Sequence, residues 1–283
     1  MAKYFGILLL GFLTSCSNYG QLSHITDLPK KLEENSGLVY YTKENVWLIE
    51  DNGNLDEIYN VNFEGKIKKK LKVSNAKNHD WEDLTKDKEG NIYIGDFGNN
   101  QNDRKDLVIY KIPNPEKEKG KKIKAEKIKF NYPEQKEFPP KDFKMYYDTE
   151  AFFHQNDSLY IITKNRTKPF DGKALIYKIP ASPGSYKAEF ISSFVPCLDW
   201  KNCQVTSADI SSNGKKIAIL SYGKLWIFSD FTFPDFTKGK MEMIDLETSN
   251  QLESVCFKDN NTLLLSDEKK GPTGRNLYFY KLK

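Results

Sequence analysis

The 283-residue chain has little of the chemistry that marks several common protein classes. It carries four cysteines and three scattered histidines without a CxxC pair, which argues against a zinc site. Its 43 basic and 39 acidic side chains give a net charge of only +4, so nucleic acid is not an expected partner. Hydrophobic residues make up 39%, too few for several membrane spans, whereas 13% aromatic residues are too many for a disordered chain.

The longest apolar run lies at the start of the chain. Lys3 precedes the apolar segment 4–14, which is too short to span a bilayer and is typical of a secretion signal. This segment ends in Leu13-Thr14-Ser15-Cys16, which resembles the lipobox of bacterial lipoproteins. The resemblance implies cleavage before Cys16, acylation of its thiol, and attachment to a membrane of the bacterial cell envelope, with the outer membrane as the expected location. An ordinary cleavable signal is the alternative.

Three parts of the chain are therefore expected. They are a signal peptide over residues 1–15, a lipidated tether over 16–23 and a single domain over 24–283, which we expect to be monomeric. Acyl chains on Cys16 would make the membrane a partner without a transmembrane helix. Disulfides persist in the envelope, so Cys197 and Cys203 either close a small loop or remain reduced. Cys256 lies in an alternating apolar stretch and is expected to be buried.

Five stretches of the chain are similar to one another. Each contains two short apolar runs separated by a turn signal, such as residues 88–91 or 212–214. Third and fourth apolar runs follow in most units, and helical periodicity is nearly absent, so each unit predicts four short β-strands. The repeats are 46, 68, 58 and 45 residues apart when the equivalent positions are taken as Ser36, Glu82, Glu150, Ala208 and Glu253.

Four-stranded repeats of this length predict an all-β fold, a β-propeller with five blades. The last unit ends after three strands, and the segment 24–28 belongs to no unit, so this N-terminal segment is expected to complete the fifth blade. Six blades are the alternative if the long interval from Glu82 to Glu150 contains a degenerate unit. A β-sandwich or two small β-domains is the alternative to a propeller.

Repeated polar residues are expected to meet at one mouth of the propeller channel. In each hairpin, a residue near the start of the first strand is followed 14 or 15 positions later by one near the end of the second. Both strand ends lie at the same mouth, so a ring of mainly acidic side chains is predicted there. Its expected members are Ser36, Asp51, Glu82, Asp83, Asp96, Glu150, Lys164, Asp209, Glu253, Asp267 and Glu268.

Clustered carboxylates repel one another and favour a bound cation. Ca²⁺ prefers oxygen ligands and is the expected cofactor, with Glu82, Asp83, Glu150, Asp209 and Glu253 as its predicted ligands. The alternative is that these acidic side chains cap strand ends by accepting backbone hydrogen bonds.

Basic residues close to these acids in the sequence suggest a small anionic ligand. The predicted ligand-binding residues are Asp96, Asn99, Arg104, Lys164, Arg166 and Asp267. In an enzyme, Glu82 and Glu150 would be the catalytic carboxylates, one of them acting as general base towards a water molecule activated by the cation. The sequence has no Gly-x-Ser-x-Gly motif, so serine-esterase chemistry is not expected.

The blocks 81–84, Trp-Glu-Asp-Leu, and 95–99, Gly-Asp-Phe-Gly-Asn, resemble a group of secreted bacterial propellers loosely related to the phytase-like esterases. That resemblance implies Ca²⁺-dependent hydrolysis of phosphate or carboxylic esters, with roles for Glu82, Asp83, Asp96, Asn99 and Glu150. Ala208 in the fourth unit departs from the acidic pattern, which puts a complete ring in doubt.

Two functions are therefore considered. The first is a lipid-anchored propeller that binds a ligand or an envelope protein at its acidic mouth, and the second is the hydrolase that the resemblance implies. Binding is preferred, because a shared fold does not establish chemistry.

Overall fold

The structure is a computed structural model that describes residues 19–42 and 44–283. The predicted signal peptide and the predicted acylation site, Cys16, lie outside the described residues. In the described part of the chain, no helix is long and apolar enough to cross a membrane.

The strands follow the predicted repeat. The chain first forms β1 (Ser23–Asp27). Blade 1 contains β2 (Asn35–Tyr40), β3 (Asn45–Glu50), β4 (Glu57–Asn62) and β5 (Ile67–Ser74). Blade 2 contains β6 (Trp81–Lys86), β7 (Ile92–Asp96), β8 (Val108–Ile112) and β10 (Glu126–Asn131), with β9 (Lys122–Lys124) before β10 in the chain. Blade 3 contains β11 (Asp148–Gln155), β12 (Ser158–Lys164), β13 (Ala174–Pro180) and β15 (Glu189–Phe194), with β14 (Gly184–Lys187) before β15. Blade 4 contains β16 (Val205–Ile210), β17 (Ile217–Ser221), β18 (Lys224–Ser229) and β19 (Lys240–Asp245). Blade 5 contains β20 (Leu252–Asp259), β21 (Thr262–Asp267) and β22 (Asn276–Lys281). Short 3-10 helices occupy Lys30–Leu32, Asp142–Lys144 and Phe236–Lys238.

The five sheets form a five-bladed β-propeller, which confirms the predicted fold. The first strands of the blades, β2, β6, β11, β16 and β20, contact one another in a closed ring around the channel. The last blade has the strand order β20-β21-β22-β1, with Ser23 opposite Phe279 and Asp27 opposite Asn276. The N-terminal strand therefore completes the fifth blade, as predicted, and covers an edge that would otherwise be open.

Two strands were not predicted from the sequence. β9 pairs in parallel with β5 and gives blade 1 a fifth strand, and β14 does the same for blade 2 by pairing with β10. The long interval between the second and third repeats therefore holds β9 and a connecting loop, and not the degenerate sixth blade considered above.

The blades pack through apolar side chains, and middle strands such as β7 and β12 are buried on both faces. Trp47 of blade 1 and Trp81 of blade 2 are fully buried in one cluster between these blades, and Trp226 is buried between blades 3 and 4. Leu22 is also buried, between blades 4 and 5. Cys256 is buried as predicted.

Each inner strand contains a β-bulge close to the channel mouth. At the mouth end, the shift in register leaves one unpaired residue in each inner strand: Gly37, Glu82, Glu150, Thr206 and Glu253. The predicted equivalence therefore holds for the three glutamates but is wrong by one residue at Ser36 and by two at Ala208. A bulge changes the direction in which its side chain points, so Glu82, Glu150 and Glu253 turn towards the mouth and not into the sheet. Gly37 has no side chain, and the hydroxyl of Thr206 donates to the carbonyl oxygen of Leu252.

Candidate metal centre at the channel mouth

Seven carboxylates from four blades come together at one end of the channel, which we call the acidic mouth. The charges of Glu82, Glu150 and Glu253 interact with one another and with those of their neighbours. Among the described residues, the members are Asp51, Asp80, Glu82, Asp148, Glu150, Glu253 and Glu268. The predicted convergence of residues that are far apart in the sequence is therefore confirmed for Asp51 and for all four glutamates.

Three of these carboxylates are close enough to share one ion. Oxygen atoms of Asp51, Asp80 and Glu82 all lie within 4.8 Å of one another. Ca²⁺ bonds to oxygen at about 2.3–2.6 Å, so two oxygens on one ion are separated by about 5 Å at most. Within the described residues, no protein group donates a hydrogen bond to the carboxylate of Asp80 or Glu82. These three residues therefore fit a hard divalent cation.

Gly98 forms a wall of this carboxylate triad. A Cβ atom at this position would lie 2.2 Å from Oε1 of Glu82 and 2.4 Å from Oδ2 of Asp80. The backbone N–H of Gly98 donates to the carbonyl oxygen of Asp80 at 3.2 Å, which brings the loop after β7 against the residue preceding β6. Because Gly98 has no side chain, the carboxylates of Asp80 and Glu82 can occupy this space.

Two cationic side chains lie on the opposite side of the acidic mouth. Nζ of Lys164 is 3.0 Å from Oε1 of Glu150 and 3.3 Å from the hydroxyl oxygen of Tyr222. Arg166 donates to Oδ2 of Asp148 at 2.6 Å and to Oε1 of Glu150 at 3.2 Å. These two cations cannot balance seven carboxylates, so the ionised mouth has a large negative excess.

The pKa values of several of these carboxyl groups are raised, so the groups keep their protons to a higher pH than exposed carboxyl groups do. Burial, together with the nearby Asp51 and Asp148 charges, raises the pKa of Asp80 to about 7. Burial outweighs the effect of Lys164 and raises the pKa of Glu150 to about 8. The pKa of Glu82 is also raised well above its usual range, by burial first and then by repulsion from Glu150. A cation at this mouth would therefore replace protons.

Glu268 closes the side of the mouth formed by blade 5. Burial and the neighbouring Glu253 carboxylate raise its pKa to about 9. The side-chain amide of Gln251 donates to Glu253 at 2.9 Å and also donates to Glu268. This shared donor holds the two glutamates side by side.

Asp83 and Asp209 do not join the acidic mouth, which corrects the predicted ring. Asp83 is buried inside the channel, where its carboxylate accepts hydrogen bonds from the backbone N–H groups of Phe152 and Ala208 in neighbouring blades. Asp209 lies near the far end of its strand and accepts the N–H of Phe257 at 2.7 Å. Both carboxylates therefore accept hydrogen bonds from backbone N–H groups, which is the alternative to cation binding considered above.

The carboxylate of Asp267 is also hydrogen-bonded within its own blade. Its carboxylate accepts hydrogen bonds from the side chains of Asn250, Asn276 and Tyr278 at 2.7–3.2 Å. It therefore braces β21 against β22, and its predicted role in ligand binding stays a prediction.

Asp96, Asn99 and Arg104 support the loop that carries Gly98. Arg104 donates to Oδ1 of Asp96 at 3.0 Å and to the carbonyl oxygen of Gly98 at 2.8 Å. The N–H of Asn99 donates to Oδ1 of Asp148 at 2.7 Å, which ties the loop to blade 3. These three residues hold in place the loop whose Gly98 forms a wall of the carboxylate triad.

Asp80 and Asp148 are members of the mouth that the predicted ring omits. Each stands two residues before a bulged glutamate, so units two and three both contain the pattern Asp-x-Glu. Gln251 occupies the same position before Glu253. A polar residue two positions before each bulged glutamate is therefore the sequence pattern that could have identified Asp80 and Asp148 as members of the mouth.

The disulfide that the sequence left open is present. Cys197 and Cys203 are joined, with their Cα atoms 5.6 Å apart, and close a loop that leads into β16. Residues 201 and 202 of this loop and Tyr222 line a cleft of about 450 Å³ that reaches Glu268. The loop therefore forms part of the rim of the acidic mouth.

No protein-family model and no curated protein matches this sequence. Among solved structures, the PQQ-bound aldose sugar dehydrogenase of Streptomyces coelicolor has a TM-score of 0.54 and 10% identity, covering 93% of this chain and 98% of that one. A candidate gluconolactonase aligns with a TM-score of 0.49 and 9% identity, covering 93% of this chain and 92% of that one. At such low identity, the first likeness supports the propeller fold alone. The chain is thus a five-bladed propeller with a carboxylate-rich channel mouth.

Proposed function

We propose that this protein binds Ca²⁺ at the acidic mouth and uses it to hold a ligand in the bacterial cell envelope, to which acyl chains on Cys16 anchor it. The observation that carries this proposal is the triad of Asp51, Asp80 and Glu82, whose oxygens lie within 4.8 Å of one another. Ca²⁺ coordinates six to eight oxygens, so three carboxylates leave room for water and for oxygen atoms of a ligand.

The charge of the mouth explains why a cation is needed for an anionic ligand. With its carboxyl groups ionised, the mouth repels anions, and Lys164 and Arg166 are already paired with Glu150 and Asp148. A divalent cation on the triad side reduces the negative excess. A small anionic or oxygen-rich molecule can then lie between the triad and the two cationic side chains.

Thermal unfolding during a calcium titration tests this function. Ca²⁺ at 100 times its dissociation constant adds about 2.7 kcal/mol to the free energy of unfolding, which is about 5–10 °C in melting temperature for a domain of this size. Glu82→Gln should lose most of this response, because one ligand charge is removed. Glu242→Gln, on the exposed strand β19, is the matched control and should respond like the wild type. Equal responses of the two variants would contradict the proposal.

A second function, ester hydrolysis, is favoured by the surroundings of Glu150. Its carboxyl group has a pKa of about 8 and is held by Lys164 and Arg166 beside the triad. Such a group can give or accept a proton near neutral pH, which is what a general acid or base requires. The bound cation would supply electrostatic stabilisation of a developing negative charge.

Assays with phosphate esters, carboxylic esters and lactones test the hydrolase function. Glu150→Gln should abolish turnover while leaving calcium binding in place, and Glu242→Gln should keep full activity. The absence of turnover with every substrate would leave ligand binding as the function. Full activity of Glu150→Gln would show that hydrolysis does not use this residue.

A further inference from the structure

A groove of opposite charge to the acidic mouth runs along the outer edge of blade 2. It consists of two adjoining clefts of about 450 and 370 Å³, which share Lys105, Leu107, Phe130 and Asn131. Most charged side chains that line the two clefts are basic. They are Arg104, Lys105, Lys127, Lys129, Lys136 and Lys187. Among the described residues that line the clefts, Asp106 is the one acid.

The positive charge of this groove is not neutralised within the protein. Asp106 is already paired, with Nε of Arg104 at 3.1 Å and with Nδ1 of His79 at 3.4 Å. Within residues 19–42 and 44–283, the five lysines that line the groove form no ion pair. Nζ of Lys105 lies 4.8 Å from the ring centre of Phe138, which restrains this lysine in the groove.

The strands place the lysines next to hydrogen-bonding side chains. β14 pairs in parallel with β10, so that Lys129 stands opposite Ser185 and Asn131 stands opposite Lys187. Alternate residues of a strand share one face, which puts Lys127 on the same face as Lys129. β14 comes from the connection between two strands of blade 3, so one side of the groove is an insertion, whereas the other side belongs to β10 of the propeller repeat.

We propose that this basic groove binds an anionic polysaccharide. Cations spaced along two clefts match a chain with repeating negative charges, and Asn131 and Ser185 can bond to its hydroxyl groups. A concave surface does not fit a flat membrane. Single-stranded nucleic acid needs exposed aromatic side chains on which bases stack. Phe130 and Tyr132 are only 4% and 3% exposed. Phe138 and Tyr186 are partly exposed, but Lys105 already lies over the Phe138 ring, and the Tyr186 hydroxyl is hydrogen-bonded to that of Ser182.

Fluorescence anisotropy with a labelled heparin hexasaccharide tests the proposal. The triple variant Lys105→Gln/Lys127→Gln/Lys129→Gln should bind at least about tenfold more weakly, with a shallower dependence on salt concentration. The matched control is Lys215→Gln/Lys238→Gln/Lys281→Gln, which removes the same charge from exposed positions in blades 4 and 5 and should bind like the wild type. Measurements in a calcium chelator keep the result independent of the acidic mouth.

Four results would overturn the proposal. Three of them concern the wild type and the control variant. They are the absence of heparin binding by the wild type, an equal loss of binding in the control variant, and displacement of heparin by oligothymidylate of equal charge as effectively as by unlabelled heparin. Thermal unfolding of both triple variants ensures that the comparison is made on folded protein. Unchanged binding by a folded groove variant would also refute the assignment of the site.

Discussion

Replacement of Gly98 by alanine perturbs the candidate metal centre with a single methyl group. The new Cβ would lie 2.2 Å from Oε1 of Glu82 and 2.4 Å from Oδ2 of Asp80, so both carboxylates must move by about 1 Å to reach ordinary contact distance. Metal–ligand distances tolerate only about 0.2 Å. Two of the three triad ligands are therefore displaced at once, and we expect calcium affinity to fall by about 100-fold or more.

The cost to the fold should be small by comparison. Overpacking in a core costs about 1–3 kcal/mol, and Gly98→Ala should lie at the low end because the displaced groups are the ends of two side chains. Gly120→Ala is the control, since the nearest atom to its Cβ would be Oε1 of the partly exposed Glu118, at 3.0 Å, in a surface loop. Calcium affinity is measured by titration calorimetry and stability by thermal unfolding in a chelator. Wild-type calcium affinity in folded Gly98→Ala would refute the triad as the binding site.

Three further predictions concern the channel, the charge of the mouth and the anchor. Asp83→Ala should lower the free energy of unfolding by about 3–5 kcal/mol in urea denaturation, because it leaves the buried N–H groups of Phe152 and Ala208 without an acceptor; a loss below about 1 kcal/mol would contradict this. The raised pKa values of Asp80 and Glu150, about 7 and 8, mean that the folded state binds more protons than the unfolded state, so calcium-free protein should lose stability as the pH rises from about 5 to 8; stability that stays constant or increases would count against the charged mouth. Cys16→Ser should move the protein from the membrane fraction to the soluble fraction, and its retention on membranes would exclude lipidation as the anchor.

The repeated hairpins made the fold predictable from the sequence. Each inner strand carries apolar residues that pack between blades, and the missing fourth strand of the last unit left one place for β1. The added strands β9 and β14 escaped prediction for a physical reason. They are three and four residues long, and they form only because a preceding blade offers them an unpaired edge.

The candidate site was predictable in part, because bulges are not visible in a pattern of residue types. Glu82, Glu150 and Glu253 were aligned correctly, since each is flanked by similar apolar runs. The sequence predicts Asp209 at the mouth because Ala208 is aligned with Glu82, but the structure puts the bulge of blade 4 at Thr206. The role of Gly98 depends on a close approach between the loop after β7 and the residue before β6, which no local pattern shows.

The most direct test of the calcium-binding mouth is a crystal structure of the protein grown with calcium chloride. We expect an ion at about 2.3–2.6 Å from carboxylate oxygens of Asp51, Asp80 and Glu82, beside the backbone of Gly98. Well-ordered carboxylates in the same place, surrounded by water alone at saturating calcium, would contradict the proposed metal centre.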